Sequence, residues 1–310
     1  MILPKAIQPG DTIGVIAPAS PPNLSNLKKA IPFFENLGLK VKVGKYVEKV
    51  HGYLAGTDEQ RLEDLHNMFL DQEVDAIICA GGGYGTGRIA ASINYDIIKT
   101  NPKIFWGYSD ITYLHTAIRQ QTGLVTFHGP MLASDIGKDD FHPHSKESFN
   151  QLSEPEEIIY DESYSKLTTI CEGEAEGPIV GGNLSLIVNS IGGDYEIDTR
   201  GKLLFIEDVD EPPYRIDSFL SQLKHAGKLD DAVGVIVGDF NNAKPKKDRP
   251  SLTFEEVLDD YFKPLNKPVL SGFNIGHCQP HYAIPLGTQA KLCTHTKTLT
   301  IEPGVIGGSS

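Results

Sequence analysis

No run of about 20 apolar residues, the length a helix needs to cross a bilayer, occurs in the 310-residue chain. A membrane-spanning segment, and with it a membrane partner, is not expected. The N-terminus, MILPKAIQPGD, lacks the charged start and apolar stretch of a signal peptide. Cysteine is sparse: Cys79, Cys171, Cys278 and Cys293, no two at C-x-x-C spacing. A disulfide framework would be unusual in a chain of this size, and the pattern reads as reduced thiols in a reducing compartment. Basic residues are outnumbered, 28 Lys and Arg against 41 Asp and Glu, for a formal net charge of −13. So acidic a surface repels phosphate backbones, and nucleic acid is not an expected partner. The longest basic cluster, KPKKDR at Lys244–Arg249, is broken by Pro245 and Asp248 and reads as a solvated loop. The final Gly-Gly-Ser-Ser is featureless. The glycine run Gly81–Gly87 (GGGYGTG) supplies no register for G-x-G-x-x-G, and no G-K-S/T follows it. A nucleotide cofactor is therefore disfavoured. No paired cluster of metal ligands appears either, so neither cofactor nor metal is expected.

What is present is ordinary for a globular protein: 40% hydrophobic and 22% charged residues. Strand-like and helix-like segments alternate through the first half. Thr12–Ala17 (TIGVIA) reads as a buried strand, Leu24–Leu37 as a helix stopped by Gly38, and Lys40–Val43 as an edge strand. Thr57 with Gln60 three residues on forms a capping box, opening a helix with Leu62, Leu65, Met68 and Phe69 on one face. Val74–Ala80 and Ile104–Trp106 read as further buried strands, and a helical run starts at Ile111. This order predicts an α/β fold: an N-terminal, mostly parallel sheet flanked by helices. The run from 135 to 170 is polar and weakly periodic. Beyond it lie short strand-like runs, at Leu203–Ile206, Val233–Val237, Lys291–Cys293 and Thr298–Ile301, joined by one helix at Arg215–Ala226. The predicted organisation is an α/β domain over 1–140, a connector over 141–170 and a smaller β-rich domain over 171–306.

Four segments carry chemistry. In GYSD, Gly107–Asp110, a serine follows a strand and precedes a helix, so its hydroxyl projects from a tight turn beside unpaired helical N–H groups. The hydrolase elbow G-x-S-x-G is half matched, since position 111 is isoleucine. Local pattern alone reads Ser109 equally as an N-cap serine with Asp110 in the first turn. Gly81–Gly83, at another strand end, allow close backbone approach and suit an oxyanion loop, or a structural turn. In LLFIEDVDEPPYRID, Leu203–Asp217, Glu207 directly follows an apolar strand, where an orienting acid would be half-buried. Asp208, Asp210 and Glu211 are an alternative cation cluster, or simply solvated. In GFNIGHCQP, His277 sits on a stiff loop near Pro280. Cys278 and His281 raise metal ligation or a thiol nucleophile as alternatives, both weaker than a Ser109–His277–Glu207 set.

Together these segments resemble the LD-carboxypeptidase family of serine peptidases, which also contains the microcin C self-immunity peptidases. PGDTIGVIAPAS, GYLAGTDEQRLEDLHNMF, VDAIICAGGGYGTGRI, NPKIFWGYSDITYLH, FHGPM, GPIVGGNLSLI, LLFIEDVDEPPYRIDSFLSQL and GFNIGHCQP follow one another in the family's order. The resemblance spans about residues 8 to 304. It implies that Ser109 is the nucleophile, His277 the general base and Glu207 the triad acid. It also implies an oxyanion hole of backbone N–H groups from Asp110 and from Gly82 or Gly83. It implies a cytoplasmic homodimer acting on a small peptide, a murein tetrapeptide whose terminal D-amino acid is released in cell-wall recycling. One position departs: many members carry arginine where this chain has Gly81.

Two other readings stand beside this one: a related peptidase that hydrolyses microcin C-like aminoacyl-nucleotide antibiotics, and a non-catalytic small-ligand-binding α/β protein. Because Ser109 precedes the polar run and Glu207 and His277 follow it, the triad is expected to assemble from two domains.

Overall fold

The computed structural model describes residues 1–246 and 250–307. The basic cluster at Lys244–Arg249 and the Gly-Gly-Ser-Ser end therefore lie partly outside the described residues. The chain divides into two compact units. Among the described residues, the first comprises 1–156, 279–287 and 303–307, and the second 157–246, 250–278 and 288–302.

In the first unit the apolar run TIGVI becomes β1 (Thr12–Ile16). Helix α1 (Leu24–Glu35) starts at Asn23, whose side chain accepts the Asn26 N–H, and buries Leu27, Ala30 and Phe34. The chain then turns through Gly38 at φ 80° into β2 (Lys40–Val43). The capping box of Thr57 and Gln60 is formed, and opens α2 (Asp58–Leu70). Next come β3 (Ala76–Cys79), α3 (Thr86–Ile89), α4 (Tyr95–Thr100), β4 (Ile104–Gly107), α5 (Thr112–Thr122) and β5 (Thr126–His128). Strands β2, β1, β3, β4 and β5 lie side by side in that order, all parallel, and a strand from far along the chain, Ile284–Leu286, closes the edge antiparallel to β5. Strands β3 and β4 are neighbours, so the glycine run and GYSD leave the sheet side by side, where ligand sites form in such sheets.

The polar run from 135 is more ordered than its composition suggests. It holds α6 (Pro143–Glu147) and a 3₁₀ turn, Ser148–Leu152. Its few apolar residues account for this: Phe149 and Leu152 are buried in the first unit's core, Phe149 edge-on to Phe33 and Phe34.

The second unit holds β6 (Ile158–Tyr160), β7 (Thr168–Cys171), β8 (Glu174–Asn183), α7 (Leu184–Asn189), β9 (Leu203–Val209), α8 (Pro213–His225), α9 (Lys228–Asp231), β10 (Gly234–Asn241), α10 (Phe254–Phe262) and β11 (Val269–Ser271). The chain then supplies β12, the Ile284–Leu286 edge strand of the first sheet, before β13 (Gln289–Cys293) and β14 (Thr298–Ile301) return to the second. Its eight strands run in the order β6-β14-β13-β8-β9-β10-β11-β7, and β8 to β11 are parallel. The unit is less purely β than the sequence pattern indicates, because α7, α9 and α10 join the expected helix α8. Helices α7 and α9 are six and four residues long, too short to show a helical period. Helix α10 announced itself in a capping box, Thr253 with Glu256. Leu204, Ile206, Val235 and Val237 of the sheet pack with Ile216, Leu220 and Leu223 of α8 and Val257 and Phe262 of α10. Among the described residues no helix is long and apolar enough to cross a membrane.

Candidate active site

Strand β4 is buried throughout and ends at Gly107, where a Cβ would lie 3.1 Å from both Cys79 Cβ and Ile111 Cγ1. A side chain at this position would press on both neighbours as the chain turns. Tyr108 is extended, and Ser109 then adopts φ 64°, the left-handed region. For a non-glycine residue that conformation costs about 1–2 kcal/mol and persists where the surroundings impose it, as at a nucleophile elbow. The N-cap reading of Ser109 fails. Ile111 occupies the cap position of α5, and no side chain caps that helix. Asp110 does not serve the helix either: its Oδ2 accepts the Thr86 N–H at 2.9 Å, while Thr86 Oγ1 donates to the Asp110 carbonyl at 2.6 Å. Burial pushes the Asp110 carboxyl above the usual range.

The glycine run packs on this elbow. A Cβ on Gly82 would sit 3.0 Å from Ser109 Cβ and 3.2 Å from its Oγ, so the bare backbone passes directly beside the hydroxyl. Gly83 has φ 111°, and the Tyr84 N–H beyond it donates to Ser20 Oγ at 3.1 Å. At Gly81 a Cβ would lie 2.8 Å from Ser134 Oγ, so a side chain there would have to displace that serine. The loop is anchored by Arg61, a buried cation the sequence reading passed over. Its Nη1 donates to the Pro18 and Gly85 carbonyls and its Nη2 to Asp58 Oδ1 at 2.6 Å. Asp58 also receives Arg88, which, ahead of Arg61, holds its carboxyl below the usual range.

In the second unit, Glu207 lies inside β9 rather than just past it, because the strand continues to Val209. It is fully buried, not half-buried as its place in the sequence suggested. Its Oε2 accepts from His277 Nδ1 at 2.7 Å. Since the carboxylate can only accept, Nδ1 carries the proton and Nε2 is the basic nitrogen. Gly276, at φ 132°, makes room: a Cβ there would meet Glu207 Oε2 at 2.8 Å. The pairing of β9 with β10 shifts register between Val237 and Phe240. This bulge ties the histidine loop down, the Asp239 N–H donating to the Ile275 carbonyl at 3.0 Å and Asn241 Nδ2 to the His277 carbonyl at 2.6 Å. Asp239 is a second missed residue. Burial, then the negative charge of Glu207, push its carboxyl up to about 6. Its sequence signal was a carboxylate ending the apolar run GVIVGD, the same pattern that marked Glu207.

The other acids of that segment disperse. Asp208 accepts from Asn183 Nδ2 at 3.0 Å and from the Ser185 N–H at 2.9 Å; burial, and secondarily Glu207, push it up to about 6. Asp210 accepts from Asn242, and Glu211 faces Arg215. Among the described residues no group of three or more His, Cys, Asp or Glu side chains is arranged to hold a metal ion. His281 packs edge-on to Tyr108, ring centroids 4.6 Å apart, and Trp106 is buried with Nε1 donating to the Pro130 carbonyl.

A serine on a strained elbow with a glycine backbone against it, and an imidazole oriented by a buried carboxylate, are the parts of acyl-transfer chemistry. The sequence matches the LD-carboxypeptidase N-terminal domain over residues 13–129 and the LD-carboxypeptidase C-terminal domain over 176–292. A probable murein peptide carboxypeptidase of Bacillus subtilis (strain 168) is 58% identical, covering 99% of this chain and 96% of its own. The chain belongs to the LD-carboxypeptidase family. Among solved structures, an MccF-like protein from Bacillus anthracis str. Ames superposes with TM-score 0.89 at 27% identity, covering 98% of this chain and all of its own. The muramoyltetrapeptide carboxypeptidase from Oxalobacter formigenes does so with TM-score 0.87 at 28% identity, covering 96% and 100%. This LD-carboxypeptidase is thus a serine-type peptidase with the mixed α/β fold of its relatives.

Proposed function

We propose that this LD-carboxypeptidase cleaves the amide before the C-terminal D-amino acid of murein tetrapeptides, with Ser109 as nucleophile. The left-handed elbow of Ser109, with Gly82 against its side chain, carries this reading. The Ser109 hydroxyl attacks the scissile carbonyl as His277 Nε2 takes its proton. Glu207 fixes the tautomer and stabilises the imidazolium. The N–H groups of Asp110 and of Gly82 or Gly83 receive the oxyanion, each donor worth roughly 3–4 kcal/mol. His277 then protonates the leaving amine of the D-residue, and water repeats the cycle on the acyl-enzyme. The two compact units serve in this reading as the functional domains, one bringing the nucleophile and the other the His–Glu pair. Its four cysteines form no disulfide with one another, which suits a cytoplasmic setting; in this reading the enzyme works there as a homodimer on a substrate from wall turnover, and neither metal nor cofactor takes part.

The test is incubation with tetrapeptides bearing diaminopimelate or lysine at position three, with product masses measured, in the presence of a strong chelator. Loss of one terminal D-alanine, abolished in folded Ser109→Ala protein, is expected. Wild-type-like turnover by Ser109→Ala, or activity that requires added metal, would overturn it.

A further inference from the structure

The loop that follows β1 grips the glycine run, and the mechanism above does not use it. Strand β1 ends at Ile16, and the chain continues as Ala17, Pro18, Ala19, Ser20, Pro21 and Pro22. Three prolines leave this loop few backbone conformations. It is also tied from behind, the Pro18 carbonyl accepting from Arg61 Nη1 and the Ala19 carbonyl from the Ala55 N–H at 2.9 Å. Ala19 is fully buried. Ser20, the next residue, is half-buried and held where these ties put it.

Ser20 meets Gly83 on both sides. Its N–H donates to the Gly82 carbonyl at 3.2 Å, and its Oγ accepts the Tyr84 N–H at 3.1 Å. Between these two bonds Gly83 turns at φ 111°, and a Cβ on it would lie 2.5 Å from Ser20 Cβ. One residue thus fixes the peptide unit before Gly83 and the one after it. The Gly82–Gly83 bond is trans, and in a trans peptide the C=O and N–H point to opposite edges of the plane. With the Gly82 carbonyl turned to Ser20, the Gly83 N–H is turned away from it, and it meets no acceptor among the described residues. The preceding peptide unit is not held in this way. Neither the Gly81 carbonyl nor the Gly82 N–H has a hydrogen-bond partner among the described residues. The unit that Ser20 holds begins at Gly82, the residue whose Cβ would lie 3.0 Å from Ser109 Cβ.

A donor to an oxyanion acts by being aimed before the charge develops. We propose that Ser20 is a positioning residue for the reaction: it clamps Gly83 so that the Gly83 N–H, rather than that of Gly82, is the loop's fixed donor to the oxyanion formed at Ser109. This rests on the serine-peptidase reading above. Ser20 touches none of the reacting atoms in that reading and acts through the Gly82–Gly83 peptide.

The test uses Ser20→Ala, which removes Oγ and keeps the N–H, and Ser20→Cys, which leaves a weaker acceptor, both in the full chain. Three readouts separate positioning from packing: kcat and KM for the tetrapeptide, the affinity of the tripeptide product, and the affinity of a tripeptide boronate. The boronate's tetrahedral adduct with Ser109 places an oxygen where the oxyanion forms. Ser20→Ala should lower kcat about 10- to 100-fold, short of the about 10²- to 10³-fold of a donor lost outright, with KM little changed. Boronate affinity should fall by the same factor while that of the tripeptide holds, and Ser20→Cys should lie between Ser20→Ala and wild type. A kcat for Ser20→Ala close to that of wild type overturns the proposal. So does a loss shared equally by boronate and tripeptide, the mark of a merely structural role. Should Ser20→Ala fail to fold, an unchanged ratio of the two affinities in Ser20→Cys overturns it instead. In each of these cases wild-type cleavage of the tetrapeptide leaves the peptidase reading standing; wild type that cleaves no tetrapeptide overturns both.

Discussion

Replacing Glu207 by glutamine isolates the charge behind His277 from its shape. The carboxylate is fully buried and lies 2.7 Å from Nδ1. Glutamine fills the same space and can still accept from Nδ1–H, so the ring keeps its place. The negative charge opposite the imidazolium that forms during attack is lost. Two unit charges about 4 Å apart interact by about 4 kcal/mol at an effective dielectric constant near 20. At 1.36 kcal/mol per decade that is about a thousandfold in rate. If the amide turns its NH₂ toward Nδ1 the tautomer inverts, and the loss grows toward about 10⁴. Glu207→Gln should therefore lower kcat by about 10³- to 10⁴-fold with KM little changed, measured by D-alanine release. The fold should not suffer, since the substitution removes the negative charge that helps raise Asp208 and Asp239. Its melting temperature at pH 7.5 should equal or exceed that of wild type. A kcat within tenfold of wild type would refute the role given to Glu207.

Gly82→Ala would set a methyl 3.0 Å from Ser109 Cβ and 3.2 Å from Oγ. It should cut kcat/KM at least about tenfold while leaving the melting temperature nearly unchanged, and unaltered kinetics would contradict the loop's placement. Asp239→Asn tests the buried carboxyl. With its folded pKa raised from 3.8 to about 6, ionisation disfavours the native state. The penalty is absent below pH 3.8 and complete above about 6. The variant should thus melt no higher than wild type at pH 4 and progressively higher as the pH rises to 6.5; a pH-independent shift would exclude this cause.

Strands β1, β3 and β4 of the first sheet were legible because they are uninterrupted apolar runs, β2 because its residues alternate, and α2 because Thr57 caps it, whereas β5 and β12, three residues each, are too short to show a pattern. The site's polypeptide positions were legible for the same reason: Ser109 and Gly82 stand at the ends of such runs. What escaped were the long-range ties. Arg61 looked like any surface helix cation, since nothing local says that its guanidinium bonds to carbonyls 43 and 24 residues away. Asp239 carried the same signal as Glu207, a carboxylate ending an apolar run, but nothing local says that a register shift places it near Glu207. The extent of burial at Glu207 was missed because β9 runs on through Asp208, a charged residue that Asn183 and Ser185 satisfy.

The route of the chain has a practical consequence. Because Ile284–Leu286 completes the first sheet only after the second unit has been made, the latter is an insertion, and the segment that supplies His277 leads straight into that closing strand. A fragment cut at residue 156 would leave β5 as an uncovered edge, its N–H and C=O groups open to other chains. Such a fragment should aggregate rather than give a soluble half-enzyme. During synthesis the sheet that carries Ser109 must wait, one strand short, until more than 120 further residues have emerged.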